Sequence, residues 1–171
     1  ALTYAEMYQA MNKFDKAEEK GRRIIENLIK NKCVNYEFQP TASKIDLFVT
    51  GLTDMAAIEI KDRERYTAEQ IEGFGGMYIK ETKYCSLTAT TLNGYKPIFC
   101  TIFKDIIVMW DLDGMNLQFH DEYLDNTCVI DTGKSKQSVS FLHISAATAT
   151  YQTEFYKNEQ SSRENSQGKD S

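Results

Sequence analysis

The sequence predicts an α/β protein, and three observations carry that prediction. A long segment with a helical apolar stripe precedes two β-rich runs, 44–50 and 55–61, that read as a hairpin. A capping-box sequence then opens another helix at Thr67. Two apolar, strand-like runs follow it, one from Pro97 to Phe103 and one from Ile106 to Gly114. In order, the elements read α-α-β-β-β-α-β-β.

The first element, from Thr3 to Phe14, places Tyr4, Met7, Tyr8 and Met11 at the spacing of one helix face, and its expected role is packing. Asp15 caps a longer helix that runs to about Asn31. Phe14, Gly21, Ile24, Ile25, Leu28 and Ile29 form its inward stripe. Glu18 stands at the edge of that stripe, in line with Ile25 and Ile29, while Glu19 and Glu26 point roughly a quarter-turn further round. Val34 to Gln39 then alternates, with Val34, Tyr36 and Phe38 on one side and Asn35, Glu37 and Gln39 on the other, as a strand does. Pro40 to Ser43 turns the chain into the hairpin.

The hairpin carries the chemistry. Between its strands lies Thr50-Gly51-Leu52-Thr53-Asp54, a turn-like stretch. With the midpoint near Leu52 and Thr53, Asp46 stands opposite Glu59, and opposed residues hold their Cβ atoms roughly 4.5–5.5 Å apart. Alternation puts Glu59 and Lys61 on one face and Ile58 and Ile60 on the other. Two carboxylates this close repel unless a proton or a cation lies between them. A hard cation such as Mg²⁺ resolves the repulsion, because it takes oxygen ligands and is commonly held by one or two carboxylates plus substrate phosphate. Lys61 can then orient a water or neutralise charge on the phosphorus. An ordinary surface Glu-Lys pair is the competing reading of the same residues.

With a helix before and a helix after, Asp46 followed by Glu59-Ile60-Lys61 resembles the PD-(D/E)xK nuclease superfamily, which includes restriction endonucleases and archaeal Holliday-junction resolvases. The proline of the family's name is missing, since Ile45 precedes Asp46. The resemblance covers roughly residues 15 to 112. It implies a central mixed β-sheet flanked by helices, an αβββαβ core, here with an extra N-terminal helix and C-terminal strands. It further implies a metal-dependent enzyme that hydrolyses phosphodiester bonds of DNA with Mg²⁺ or Mn²⁺. Asp46, Glu59, Lys61 and Gln70 would be the catalytic residues, and Glu18, Asp46, Glu59 and Ile60 the metal set. Two of these have a plain alternative. Glu18 also reads as a carboxylate suiting the positive end of a helix. Gln70, three residues after Thr67, is also what a capping box requires. DNA is the expected partner, and a homodimer follows if both strands of a duplex are cut. The alternative function is a noncatalytic nuclease-like domain that binds nucleic acid or a protein partner.

Beyond the hairpin, Gly73, Gly75 and Gly76 read as glycines that soften the helix begun at Thr67. They make no phosphate loop, because neither a preceding strand nor a Gly-Lys-Ser/Thr accompanies them. Tyr84 to Leu92 ends at the stop signal Asn93-Gly94. Asp111, Asp113 and Gly114 begin like a calcium loop, but Met115 and Asn116 occupy its fifth and sixth positions, so a strand-ending turn is expected. His120, Asp121 and Glu122 are consecutive and cannot all face one ion from a strand. His143 has no partner at ligand spacing and reads as structural. From about Lys157 the chain holds no apolar residue and is expected to be disordered, leaving 1–156 as a single domain.

Composition narrows the setting. The 171 residues are 42% apolar, without an apolar run long enough to span a membrane and without a signal-like start, so a soluble, cytoplasmic protein is expected. Cys33, Cys85, Cys100 and Cys128 lack Cys-x-x-Cys spacing, which disfavours zinc and suits reduced thiols. A net charge of −5 opposes nonspecific coating of nucleic acid. Lys61, Arg63, Arg65, Lys80 and Lys83 nevertheless gather positive charge after the hairpin.

Overall fold

A computed structural model describes residues 13–51, 53–125 and 133–157. The expected helix up to residue 12, Cys128 and the polar tail after Lys157 lie outside the described residues. In chain order the elements are α1 (Lys13–Ile29), β1 (Asn35–Phe38), β2 (Leu47–Thr50), β3 (Met55–Arg63), α2 (Ala68–Gly73), β4 (Met77–Lys80) and α3 (Glu81–Thr88). A 3₁₀ turn over Ala89–Asn93 leads to β5 (Tyr95–Phe103), β6 (Ile106–Asp111), β7 (His120–Asp125), β8 (Lys134–Leu142) and β9 (Ala149–Gln152).

Six strands form one sheet in the order β1-β2-β3-β5-β6-β9, and β4, β8 and β7 form a second. Within the large sheet β3 and β5 run parallel and the other pairs antiparallel, so the sheet is mixed, as expected. A parallel pair needs a crossover. Here the segment from Glu64 to Gly94 supplies it, bringing α2, β4 and α3 over one face.

The opposite face is covered by α1. Ile24, Ile25, Leu28 and Ile29 are buried against Leu47, Val49, Ile58, Ile60, Ile102 and Ile107, as the helical stripe predicts. Burying each such side chain stabilises by about 1.5–3 kcal/mol. Gly21 is a point of close approach, since a Cβ there would lie 3.4 Å from Ile102 Cδ1 and 3.5 Å from Ile60 Cγ2. On the crossover face, Ala57, Phe99, Phe103 and Trp110 pack with Ala68, Ile71, Met77, Ile79, Leu87 and Leu142. One core thus joins both sheets.

Several boundaries differ from the expectations. The hairpin's second strand runs on to Arg63, while its first begins at Leu47 and leaves Asp46 just outside. The largest correction concerns the glycines after Thr67. They do not soften a continuing helix: α2 stops at Gly73, and Gly75 and Gly76 take φ values of 107° and 108°, which a helix cannot accommodate. The chain turns there into β4, whose Met77 and Ile79 are buried while Tyr78 and Lys80 are half-buried. The turn after β6 is as expected, with the Asp113 N–H donating to Asp111 Oδ1 at 3.0 Å. Among the described residues no helix is long and apolar enough to cross a membrane.

Candidate active site

The hairpin register places the site. Leu47 pairs with Ile58 and Phe48 with Ala57, so one further step sets Asp46 against Glu59, as the turn predicts. Asp46 Oδ2 accepts the Ile60 N–H at 2.8 Å, which fixes the carboxylate against β3. The Ile60 side chain faces α1, so only its backbone carbonyl is available as an oxygen donor to a cation.

Glu59 is 4% exposed. Its Oε1 lies 3.5 Å from Lys61 Nζ and 3.2 Å from Lys83 Nζ, whereas Oε2 is buried without a hydrogen-bond partner. Burial, and then the charge of Asp46, push this carboxyl up to about 7 against the pull of Lys61 and Lys83. With a proton on, Glu59 can donate to Asp46; ionised, it leaves Oε2 unsatisfied. Glu18 stands beside the pair. Burial and the Asp46 charge raise its carboxyl above the usual range, with Arg22 opposing.

The sequence reading did not single out two residues that complete this arrangement. Arg22 projects from α1 with its Nη2 3.0 Å from Asp46 Oδ1 and 3.3 Å from Glu18 Oε1, while Nη1 donates to the Gln39 carbonyl. Lys83, noted only for its charge, reaches Glu59 from α3 and also donates to the Lys44 carbonyl at 2.7 Å. Glu18, Asp46, Glu59, Ile60, Lys61 and Lys83 all line an open cavity of about 310 Å³. The predicted site residues therefore converge, with one departure. Gln70 is exposed, its Oε1 accepts the Thr67 N–H at 2.8 Å, and its own N–H donates to Thr67 Oγ1 at 3.2 Å. Its side chain closes the capping box, and Gln70 does not line the cavity.

No family model matches the chain, and no curated protein does. Among solved structures the chain is similar to the Holliday junction resolvase Hjc of Archaeoglobus fulgidus, with 14% identity over 71% of this chain and 84% of that one and a TM-score of 0.43.

The donors are hard oxygens, the type that Mg²⁺ and Mn²⁺ prefer, and the orphaned Glu59 Oε2 is a buried acceptor that a cation would satisfy. As the side chains stand, Arg22 rather than a cation balances Glu18 and Asp46. Among the described residues no group of three or more His, Cys, Asp or Glu is arranged around one ion position. Elsewhere His120 Nε2 lies 3.0 Å from Glu122 Oε1 while Asp121 pairs with Lys136, so strand alternation separates the three as expected. His143 Nδ1 meets Glu72 Oε2 at 3.2 Å and its carbonyl accepts from Trp110 Nε1, a structural role. Cys33, Cys85 and Cys100 are free thiols.

Proposed function

We propose that this chain is a metal-dependent nuclease that hydrolyses phosphodiester bonds of DNA. The observation that supports this best is Glu59, a carboxylate buried to 4% exposure at the floor of an open cavity, with one oxygen between two ammonium groups and the other unpartnered. A bare buried oxygen costs stability unless Glu59 is protonated and donates to Asp46 or a ligand meets it, and a cation shared with Asp46 would use both carboxylates at once. Asp46, Glu59, Glu18 and the Ile60 carbonyl would hold Mg²⁺ or Mn²⁺, which supplies a polarised phosphoryl oxygen and an acidified water. Lys61 is half-exposed at the cavity mouth, where it can meet the nonbridging oxygens of a scissile phosphate as charge develops on them. Lys83 is held by the Lys44 carbonyl and pulls the Glu59 pKa down, against burial and Asp46.

A noncatalytic reading has one observation in its favour: Arg22 already neutralises Asp46. The two readings part in a single assay. Linear, circular and branched DNA are incubated with Mg²⁺ or Mn²⁺ and the wild type, Glu59→Ala or Lys61→Ala. Cleavage by the wild type that both variants lose supports the nuclease; no cleavage, or equal cleavage by the variants, overturns it.

A further inference from the structure

Beside the candidate active site, between α3 and β8, lies a groove of about 980 Å³. Lys44, Lys80, Lys83 and Lys136 line it. A smaller cavity of about 250 Å³ shares Lys80 and Lys83 with this groove, and shares Lys61, Arg63 and Lys83 with the site cavity. A continuous basic track therefore leaves the site in one direction, across the start of α3 toward the three-stranded sheet. The cations are crowded: burial, then the charges of Lys61, Arg63 and Lys83, lower the pKa of Lys80. The carboxylates bordering the track already have partners, since Glu81 Oε2 accepts from Ser138 Oγ at 2.6 Å and Asp121 pairs with Lys136 at 3.4 Å. Directly across from Lys136 on β7 is Tyr123, which is 70% exposed, and cross-strand partners share a face. An aromatic face next to a row of ammonium groups, in a chain of net charge −5, is a local feature for which a solvated surface gives no reason.

We propose that the groove between α3 and β8 holds the DNA strand flanking the scissile bond, with Lys80 and Lys136 on its phosphates and Tyr123 stacked on a base. The identity of the strand rests on the nuclease reading; the groove itself rests on the charge and the aromatic ring. Phosphate contacts and base stacking leave different signatures. Each phosphate contact releases counterions and steepens the salt dependence of binding, whereas stacking adds affinity without doing so.

The test is the binding of a fluorescein-labelled DNA strand to the full chain without divalent metal, measured by anisotropy over a range of salt. Lys80→Ala and Lys136→Ala are expected to weaken binding and each to reduce the salt slope by about 1. Lys136→Arg should restore the slope, and Lys104→Ala, at the exposed β5–β6 turn, should leave it alone. Tyr123→Ala should cost on the order of tenfold in affinity with the slope unchanged. Bound strand should also protect Cys85, exposed in the groove, from alkylation. If wild type cuts DNA but the lysine variants keep the full slope, the groove assignment is wrong and the nuclease reading stands. If wild type binds with these signatures but never cuts, the nuclease reading fails and the groove stands. Displacement of the strand by polyglutamate as readily as by unlabelled DNA would overturn the assignment to DNA.

Discussion

The guanidinium of Arg22 stands 3.0 Å from Asp46 Oδ1, and each side chain is only 6% exposed. Removing one partner of a buried pair leaves the other charge uncompensated, at a cost of about 3–5 kcal/mol. Arg22→Ala should therefore unfold at clearly lower urea concentration than wild type in metal-free buffer. Because Arg22 and a cation would balance the same carboxylates, Mg²⁺ should stabilise Arg22→Ala more than wild type. An equal Mg²⁺ effect on both proteins would show that Arg22 and the cation do not compete.

Glu59 gives a pH signature. Its carboxyl is raised to about 7 by burial and then by Asp46, so in metal-free protein its contribution is fully present below the ordinary carboxylate pKa and is lost as pH rises to about 7. Glu59→Gln removes that dependence. Without metal the variant should gain stability relative to wild type as pH rises from about 5 to about 8. Mg²⁺, which needs the ionised carboxylate, should raise the melting temperature of wild type increasingly over the same range and leave Glu59→Gln nearly unmoved. Thermal melts with and without EDTA read both effects.

Gly76 fixes the entry to β4, and β4 positions Lys80 and α3. At φ 108° a Cβ would lie 3.1 Å from the Leu142 carbonyl and 3.2 Å from His143 Nδ1. Gly76→Ala should cost about 1–3 kcal/mol from backbone strain and crowding. Gly73, the last residue of α2, has nothing within 4 Å of the same position. Gly73→Ala should stabilise by about 0.4–1 kcal/mol through the unfolded chain. Urea titration of the two variants gives opposite signs if the turn is built as described.

Much of this was legible in the sequence because it is local. The hairpin register follows from the turn and the period-two alternation, and α1's stripe from its 3.6-residue spacing. The capping box was legible too, and it consumes the side chain of Gln70 that the family resemblance would have placed in the site. Arg22 was not legible. Its buried partner, Asp46, lies far along the chain, so no local spacing points to the pair. The short strand β4 was hidden for the same reason: its four residues are held by pairing with β8, and no local periodicity that brief outweighs a preceding helix signal. Lys83 inherits that difficulty, because its reach to Glu59 depends on where β4 delivers α3.

Lys61 and Lys83 meet the same oxygen of Glu59, yet their surroundings differ. Lys61 is 39% exposed, with Nζ 3.5 Å from Oε1; Lys83 is 23% exposed, 3.2 Å from Oε1, and anchored by the Lys44 carbonyl. The more exposed ammonium suits charge that develops during reaction, while the one anchored by a carbonyl suits a fixed carboxylate. Under the nuclease reading, Lys61→Ala should lower kcat by roughly 10²–10³-fold, in the range for losing a preorganised electrostatic group. Lys83→Ala should act through Glu59 instead. Deleting a cation that holds the Glu59 pKa down moves that pKa up, so the acid limb of the rate profile should shift to higher pH. Since each lysine partly covers for the other at Oε1, the double variant should shift that limb by more than the sum of the two single shifts. An acid limb that stays in place in Lys83→Ala would show the 3.2 Å contact to be incidental to catalysis.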